Sequence, residues 1–275
     1  MPATLLATRR VEKPWGRHDL WPGFADPAPD ATPIGEIWFQ EPGSADPELL
    51  VKYLFTSEHL SVQVHPTDEE ARRAGYNRGK DEAWLILAAD PDATIALGTK
   101  QPMSKDELRA ASLDGSIEHM LDWKPVKAGD FIYSPAGTVH ANGGGLTVIE
   151  IQQNFDLTYR LYDYGSDREL HLDAGVAVSE PEPFQPLPKP APSGDPDRAI
   201  LAEGPKFVVE RWPAGTRDIA LPEGKPGWLV PVSGEGTVGG VGWRAGECVM
   251  VTGKAELHAE EGSDLLFAYP GDTRL

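Results

Sequence analysis

The apolar residues of this chain come in short runs, and that grain limits the fold more than any other feature. GEIWFQ, LLVKYLF, LSVQVH, AWLILAA, TIALG, GDFIYS, LTVIEIQ, FVVERW, GWLVPV, ECVMVTG and LLFAYP are each rich in Val, Ile, Leu or aromatic residues and bounded by Gly, Pro or Asp. Such runs read as strands, so the chain is expected to be mainly β. Two segments break the pattern. TDEEARRAGYN opens on Thr67 with Glu70 three residues later, and SKDELRAASLDGSIEHMLDW opens on Ser104 with Glu107 in the same relation. Both carry the Ser/Thr-x-x-Glu signature of a capped helix.

From Glu180 to Arg198 the sequence EPEPFQPLPKPAPSGDPDR holds seven prolines, too many for the interior of a strand or helix. It reads as a connector over 181–199 between an N-terminal unit, 1–180, and a C-terminal unit, 200–275. A weak repeat runs across it: AGDFIYSPAGTVHA (128–141) resembles AGECVMVTGKAELHA (245–259), and WLILAADPDATIALG (84–98) resembles WLVPVSGEGTVGG (228–240). Each unit is therefore expected to be one β-barrel, the first with a helical insertion at about 101–124.

Charge narrows the partners. A formal net charge of −18 repels a polyanion, and no Lys/Arg cluster reverses it locally, so nucleic acid is not expected. A small anionic substrate needs only a few well-placed cations. No apolar stretch approaches the roughly 20 residues that cross a bilayer. The single cysteine, Cys248, excludes an intramolecular disulfide, and MPATLLATRRVEKPWG lacks an apolar signal core. A cytoplasmic protein is expected, and a monomer preferred.

Residues two apart in a strand face one side, so SVQVH projects Gln63 and His65 together while Val62 and Val64 pack the other face. Polar groups at inward positions need a reason. Glu82 lies on the next strand in GKDEAW, and His140 ends the turn PAGTVH. Two imidazoles, a carboxylate and an amide oxygen suit a divalent ion, and without thiolates zinc, iron, manganese, cobalt and nickel all remain open.

The spacing of Gly129, Pro135, Gly137 and His140 resembles the second motif of the cupin superfamily, although Gly144 stands where that motif usually has Asn. The first motif is altered: Gln63 and His65 replace a His-x-His pair, and Glu82 follows late. With those departures, KPWG, LLVKYL, LSVQVHP, GKDEAW, PAGTVHA and YRLYDY together resemble the short bacterial form of type I mannose-6-phosphate isomerase over roughly residues 9–178. That resemblance implies two cupin-like jelly-roll barrels, one Zn²⁺ on Gln63, His65, Glu82 and His140, and interconversion of mannose 6-phosphate and fructose 6-phosphate through a cis-enediol. It also points to Arg160 beside the enediol oxygens and to Lys52 and Ser61 at the phosphate. Glu150 and Lys80 are both candidate bases. A lysine two residues before Glu82 shares its face and feels metal and burial, which ease loss of its proton. Arg168 and Lys100 are reserve cations.

Other residues read as packing or surface: His18, His59, His119 and His171, seven tryptophans including Trp38 and Trp84, and Cys248. His258 occupies the repeat equivalent of His140, but Pro226 falls where Glu82 would be, so the C-terminal barrel is expected to hold no metal. Asn142 stands where longer relatives place a Tyr near the substrate. Two rival functions use the same pattern. A metal cupin oxygenase is disfavoured by Gln63 as ligand and by Lys52 and Arg160. A non-catalytic sugar-binding cupin is disfavoured by the presence of Lys80, Glu150 and Arg160.

Overall fold

The computed structural model describes residues 2–21, 23–40 and 46–275, and within them the chain is mainly β, with four short helices. One antiparallel sheet has six strands, in the spatial order Ala7–Arg17, Ile34–Gln40, Leu49–Thr56, Leu146–Gln153, Glu82–Ala89 and Phe131–Ser134. A second has five: Tyr159–Tyr162, Val62–Val64, His140–Asn142, Thr94–Thr99 and Leu121–Pro125. The C-terminal half forms an eight-stranded sheet around the long strands Phe207–Ala220 and Lys254–Pro270. None of the three is a single closed ladder.

Side-chain alternation explains the layering. In the six-stranded sheet one set of alternate residues, Ile37, Val51, Tyr53, Phe55, Leu85, Ile149 and Ile151, packs against Phe207, Val209, Trp228, Val230, Leu266 and Ala268 of the C-terminal half. The other set, including Leu54, Trp84, Ile86 and Val148, meets Ile95 and Leu97 of the five-stranded sheet. The far face of the five-stranded sheet, Val62, Val64, Ala96, Val139 and Leu161, is covered by Leu108, Ala111, Ile117 and Val176 of the helices. The six-stranded sheet is thus buried on both faces, and its strand Leu49–Thr56 is buried throughout.

Both expected capping boxes form. Thr67 accepts from the Glu70 N–H while Glu70 accepts from the Thr67 N–H, and Ser104 and Glu107 do the same. The helices Lys105–Asp114 and Ile117–Met120 fall within the segment expected to be helical, between Thr94–Thr99 and Leu121–Pro125. Residues 181–198 of the proline-rich connector hold no helix or strand, a strand Ala199–Glu203 opens at its end, and two isolated bridges, Thr138 to Glu180 and Gly98 to Pro183, lay its start along the five-stranded sheet. In each half the Trp-bearing strand pairs with the strand after an Ala-Gly turn, Glu82–Ala89 with Phe131–Ser134 and Gly227–Ser233 with Val249–Val251. One pairing was not anticipated: Ala3–Leu5 joins the C-terminal sheet, against Val249–Val251.

The two halves therefore share one hydrophobic cluster. Phe207 lies 4.9 Å from Tyr133, ring centre to ring centre, and Gly204 abuts the Tyr133 ring so closely that a Cβ there would lie 2.2 Å from it. Phe207→Ala should cost about 3–5 kcal/mol by opening a cavity in that cluster. Thermal unfolding should remain a single transition at a lower midpoint. Two separated transitions in the wild-type protein would show that the shared cluster does not couple the halves.

Candidate functional site

Between the five- and six-stranded sheets part of the inward-facing surface is polar, and two cross-strand rows carry it. In the five-stranded sheet Gln63 pairs with His140 on one side and Arg160 on the other. In the six-stranded sheet the row runs Arg9, Trp38, Lys52, Glu150, Trp84. Glu82 and Glu36 sit two residues from Trp84 and Trp38 and so face the same way.

The structure brings His65, Glu82 and His140 together, all buried, with ligand atoms within 4.8 Å of one another. His65 Nε2 is 3.3 Å from Glu82 Oε1, and His140 Nε2 is 3.4 Å from Glu82 Oε2. Gln63 Nε2 is 3.1 Å from His140 Nε2, so the fourth expected ligand stands at the cluster's edge, and a half-turn of its amide would present the oxygen. The outer nitrogens fix the tautomers. His65 Nδ1 lies 3.1 Å from the Leu157 carbonyl and His140 Nδ1 lies 2.9 Å from the Thr138 carbonyl. A carbonyl only accepts, so both Nδ1 atoms carry the proton and both Nε2 lone pairs point inward. His65 Nε2 and Glu82 Oε2 are buried with no hydrogen-bond donor. Such orphaned acceptors, converging, fit a bound cation.

Electrostatics reinforce this. Burial and Lys80 push the His65 imidazole down to about 3, against the pull of Glu82. Burial also lowers His140. Burial opposes ionisation of Glu82, but Lys80, at 3.1 Å, outweighs it and holds the carboxyl well below the usual carboxylate range. The set is two neutral imidazoles and a carboxylate, the protonation a metal requires.

Behind the ligands Asp81 ties three segments together. Its carboxylate accepts from Tyr133 Oη at 2.8 Å and from the Ala136 N–H at 3.0 Å, and its own N–H donates to Gln153 Oε1 at 3.0 Å. Gln153 in turn donates to Asp68, which also receives Lys206 Nζ at 2.7 Å. Gly137, at φ +87°, lets the turn before His140 close with its N–H on the His65 carbonyl at 2.8 Å.

The other row is a charge network. Lys52 lies 2.8 Å from Glu150 and 3.3 Å from Glu36, and is nearly buried. Indole N–H groups orient both acids: Trp84 donates to Glu150 at 2.9 Å and Trp38 to Glu36 at 2.7 Å. Burial works against the charged form of Glu36, but Lys52 and Lys13 outweigh it and bring it down to about 2. Burial opposes Lys52 too, and the glutamates hold it above the usual lysine range. Glu150 goes the other way: burial and the like charge of Glu82 raise it despite Lys52 and Lys80.

These residues line a cavity of about 450 Å³ with Arg9, Lys13, Ser61, Asn142, Asp156, Arg160, Arg168 and His171. Six cationic and four acidic side chains face it, a positive balance in a chain of net charge −18. Arg160 Nη1 donates to the Glu169 carbonyl at 2.6 Å, and its Nε has no partner among the described residues. Seven of the nine residues expected in the site line the cavity, and His65 and His140 stand behind Glu82, whose carboxylate both approach. Of the reserve cations, Arg168 lines the cavity but is clamped on Asp163, and Lys100 donates to the His119 carbonyl away from it. Glu36, Lys13 and the indole donors of Trp38 and Trp84 were not singled out from the sequence; the alternation of GEIWFQ could have flagged Glu36. His171, read as packing or surface, receives the Arg160 N–H on Nδ1 at 3.1 Å. His258 is exposed beside Thr216.

Fold and site together define a mainly β protein with a buried two-histidine, one-carboxylate cluster fit for a divalent metal. No protein-family model matches the chain. It is 36% identical over 198 residues to mannose-6-phosphate isomerase of Streptococcus mutans, covering 69% of this chain and 62% of that protein. It is 45% identical over 139 residues to mannose-6-phosphate isomerase ManA of Bacillus subtilis, covering 48% of this chain and 44% of that protein. The matched stretches thus span about three fifths and less than half of those relatives. A crystal structure of the Bacillus subtilis mannose 6-phosphate isomerase superposes with a TM-score of 0.74 at 25% identity, over 98% of this chain and 99% of that one. Phosphomannose isomerase of Salmonella typhimurium shares the fold at a TM-score of 0.67 and 13% identity, over 98% of this chain and 100% of that one. The chain is a homologue of proteins named mannose-6-phosphate isomerase.

Two outcomes test the site. His140→Ala and Gln63→Ala should each lower the divalent metal bound per chain, measured by elemental analysis, while Arg160→Ala keeps it. Glu36, depressed from 4.5 to about 2, contributes stability present above its unfolded value and lost as the pH falls through that interval. The stability gap between wild type and Glu36→Gln in denaturant titrations should therefore narrow from pH 6 to pH 3, and a constant gap would contradict the pairing.

Proposed function

We propose that the protein is an aldose–ketose isomerase that interconverts mannose 6-phosphate and fructose 6-phosphate with one zinc per chain. The observation that carries the reading is the pairing of a metal-competent cluster with a second buried carboxyl, Glu150, of opposite proton affinity, in one positively balanced cavity. Carboxyls whose environments push their proton affinities apart are the mark of an acid–base site. Homologues bearing the isomerase name support the choice of substrate.

Gln63, His65, Glu82 and His140 would hold the zinc. The metal would supply Lewis-acid stabilisation of negative charge on sugar oxygens. Glu150 is the better proton carrier, because its raised affinity suits taking a proton from C1 or C2 and returning it to the neighbour. Trp84 and Lys52 fix its orientation. Lys80 is the weaker candidate, its Nζ lying 3.1 Å from Glu82. Arg160, beside Gln63 in the ladder and on the cavity wall, would set its guanidinium against the two enediol oxygens. Ser61, buried on the cavity wall, and Lys52 belong to the substrate side.

The architecture fits two cupin-like jelly rolls. The first, over 1–180, comprises the five- and six-stranded sheets with the helical insertion; the second, over 200–275, is the C-terminal sheet, which Ala3–Leu5 joins, without metal. A small phosphorylated hexose is the partner, and the protein is placed in the cytoplasm as a monomer. No helix among the described residues is long and apolar enough to cross a membrane.

A coupled assay for fructose 6-phosphate formation tests the reading. Activity should vanish with chelator and return with zinc, and inactivity of zinc-loaded protein would refute the reaction. Glu150→Gln should lower kcat by about 10²–10⁴-fold while keeping bound metal. A Glu150→Gln enzyme of wild-type turnover would move the proton transfer elsewhere.

A further inference from the structure

We propose that Arg9 is the phosphate-gripping cation of the cavity, held ready on the face of Trp38. The inference rests on the sugar-phosphate reading above. A phosphate dianion needs a cation whose charge the protein has not already taken up, and most of the cavity's cations fail that condition. Lys52 is shared by Glu36 and Glu150, Lys13 lies 3.6 Å from Glu36, Lys80 is drawn to Glu82, and Arg168 is clamped on Asp163. Among the described residues that line the cavity, Arg9 and Arg160 have no carboxylate partner.

Those two stand on different sheets. Arg160 flanks Gln63 at the metal cluster. Arg9 is the outer end of the long row, directly opposite Trp38, with its guanidinium 5.3 Å from the ring centre. Lys52 Nζ lies 5.6 Å from the same ring. Arg9, Val11, Lys13 and Trp15, alternate residues of one strand, all face the cavity, so the direction of Arg9 is set by the sheet.

Distance fits as well. The Trp38 strand is two strands from that of Glu150, roughly 10 Å along the sheet. That is about the reach of an open six-carbon chain with its terminal phosphate, when C1 and C2 sit by Glu150. A guanidinium stacked on an indole loses little freedom on binding and offers two parallel N–H donors to phosphate oxygens.

The test compares metal-loaded wild type with Arg9→Gln, Arg9→Lys and Arg10→Gln. Arg10 alternates to the other face of the strand, donates to the Ala25 carbonyl and lines no part of the cavity, so it serves as control. Arg9→Gln should raise KM for mannose 6-phosphate about tenfold or more, the loss of one charge-assisted contact, with a far smaller change in kcat. Arg9→Lys should fall between, and Arg10→Gln should match wild type. Calorimetric affinity for sorbitol 6-phosphate relative to sorbitol isolates the phosphate contact, and that ratio should drop by the same factor in Arg9→Gln. An unchanged ratio in a folded Arg9→Gln protein would overturn the proposal. A wild type that turns over no sugar phosphate, yet shows the ratio and loses it in Arg9→Gln, would sink the isomerase reading while supporting Arg9.

Discussion

Lys52 is a buried ammonium between two carboxylates, inside a sheet covered on both faces, and the site is organised around it. Taking such charges out of water costs several kcal/mol per ion, so the arrangement survives only if every partner is in place. Lys52 lies closer to Glu150 than to Glu36, and Glu36 has Lys13 as a second cation, whereas Glu150 faces burial and the like charge of Glu82. The two indole donors then aim each acid. The same cation allows both carboxyls in the interior, and their proton affinities diverge because Glu36 also has Lys13 while Glu150 has burial and the charge of Glu82 against it. Removing one partner of so tight a set leaves the remainder uncompensated, which is why its members cannot be exchanged independently.

Much of the metal cluster was legible because strand alternation is a local rule. Gln63 and His65 flank Val64, and the valines at 62 and 64 face the helices while the polar residues face the opposite sheet. The capping boxes at Thr67 and Ser104 were legible for the same reason, since cap and partner are three residues apart. What could not be read were relations set by register between distant strands. Nothing in LLVKYLF indicates that Lys52 will stand directly opposite Glu150 on one side and Trp38 on the other. Trp84 and Trp38 were assigned to packing because burial predicts packing. Both do pack, but a buried indole must also place its N–H, and here each finds a carboxylate. The C-terminal half was expected as a separate barrel, and its sheet is separate, but its apolar face completes the core of the six-stranded sheet.

That shared face gives the C-terminal half a physical role beyond coverage. Tyr133 packs on Phe207 and donates to Asp81, and Lys206 reaches Asp68, which braces Gln153. Asp81 sits between Lys80 and Glu82 and also holds the Ala136 N–H in the turn leading to His140. A chain of short contacts thus runs from residues 206–207 to the backbone on both sides of the metal cluster. Its buried links are satisfied by hydrogen bonds rather than by loose packing, so it transmits position with little slack.

The first strand, Ala3–Leu5, finds its ladder partner in Val249–Val251, almost the full length of the chain away. During synthesis Ala3–Leu5 must therefore wait until Val249–Val251 has been made before that edge can be sealed. Until then Tyr53, Phe55 and Ile149 lack the Phe207, Trp228 and Leu266 side chains that cover them. The nascent N-terminal half emerges with a broad apolar sheet face open to water, and contacts of such long sequence separation form slowly.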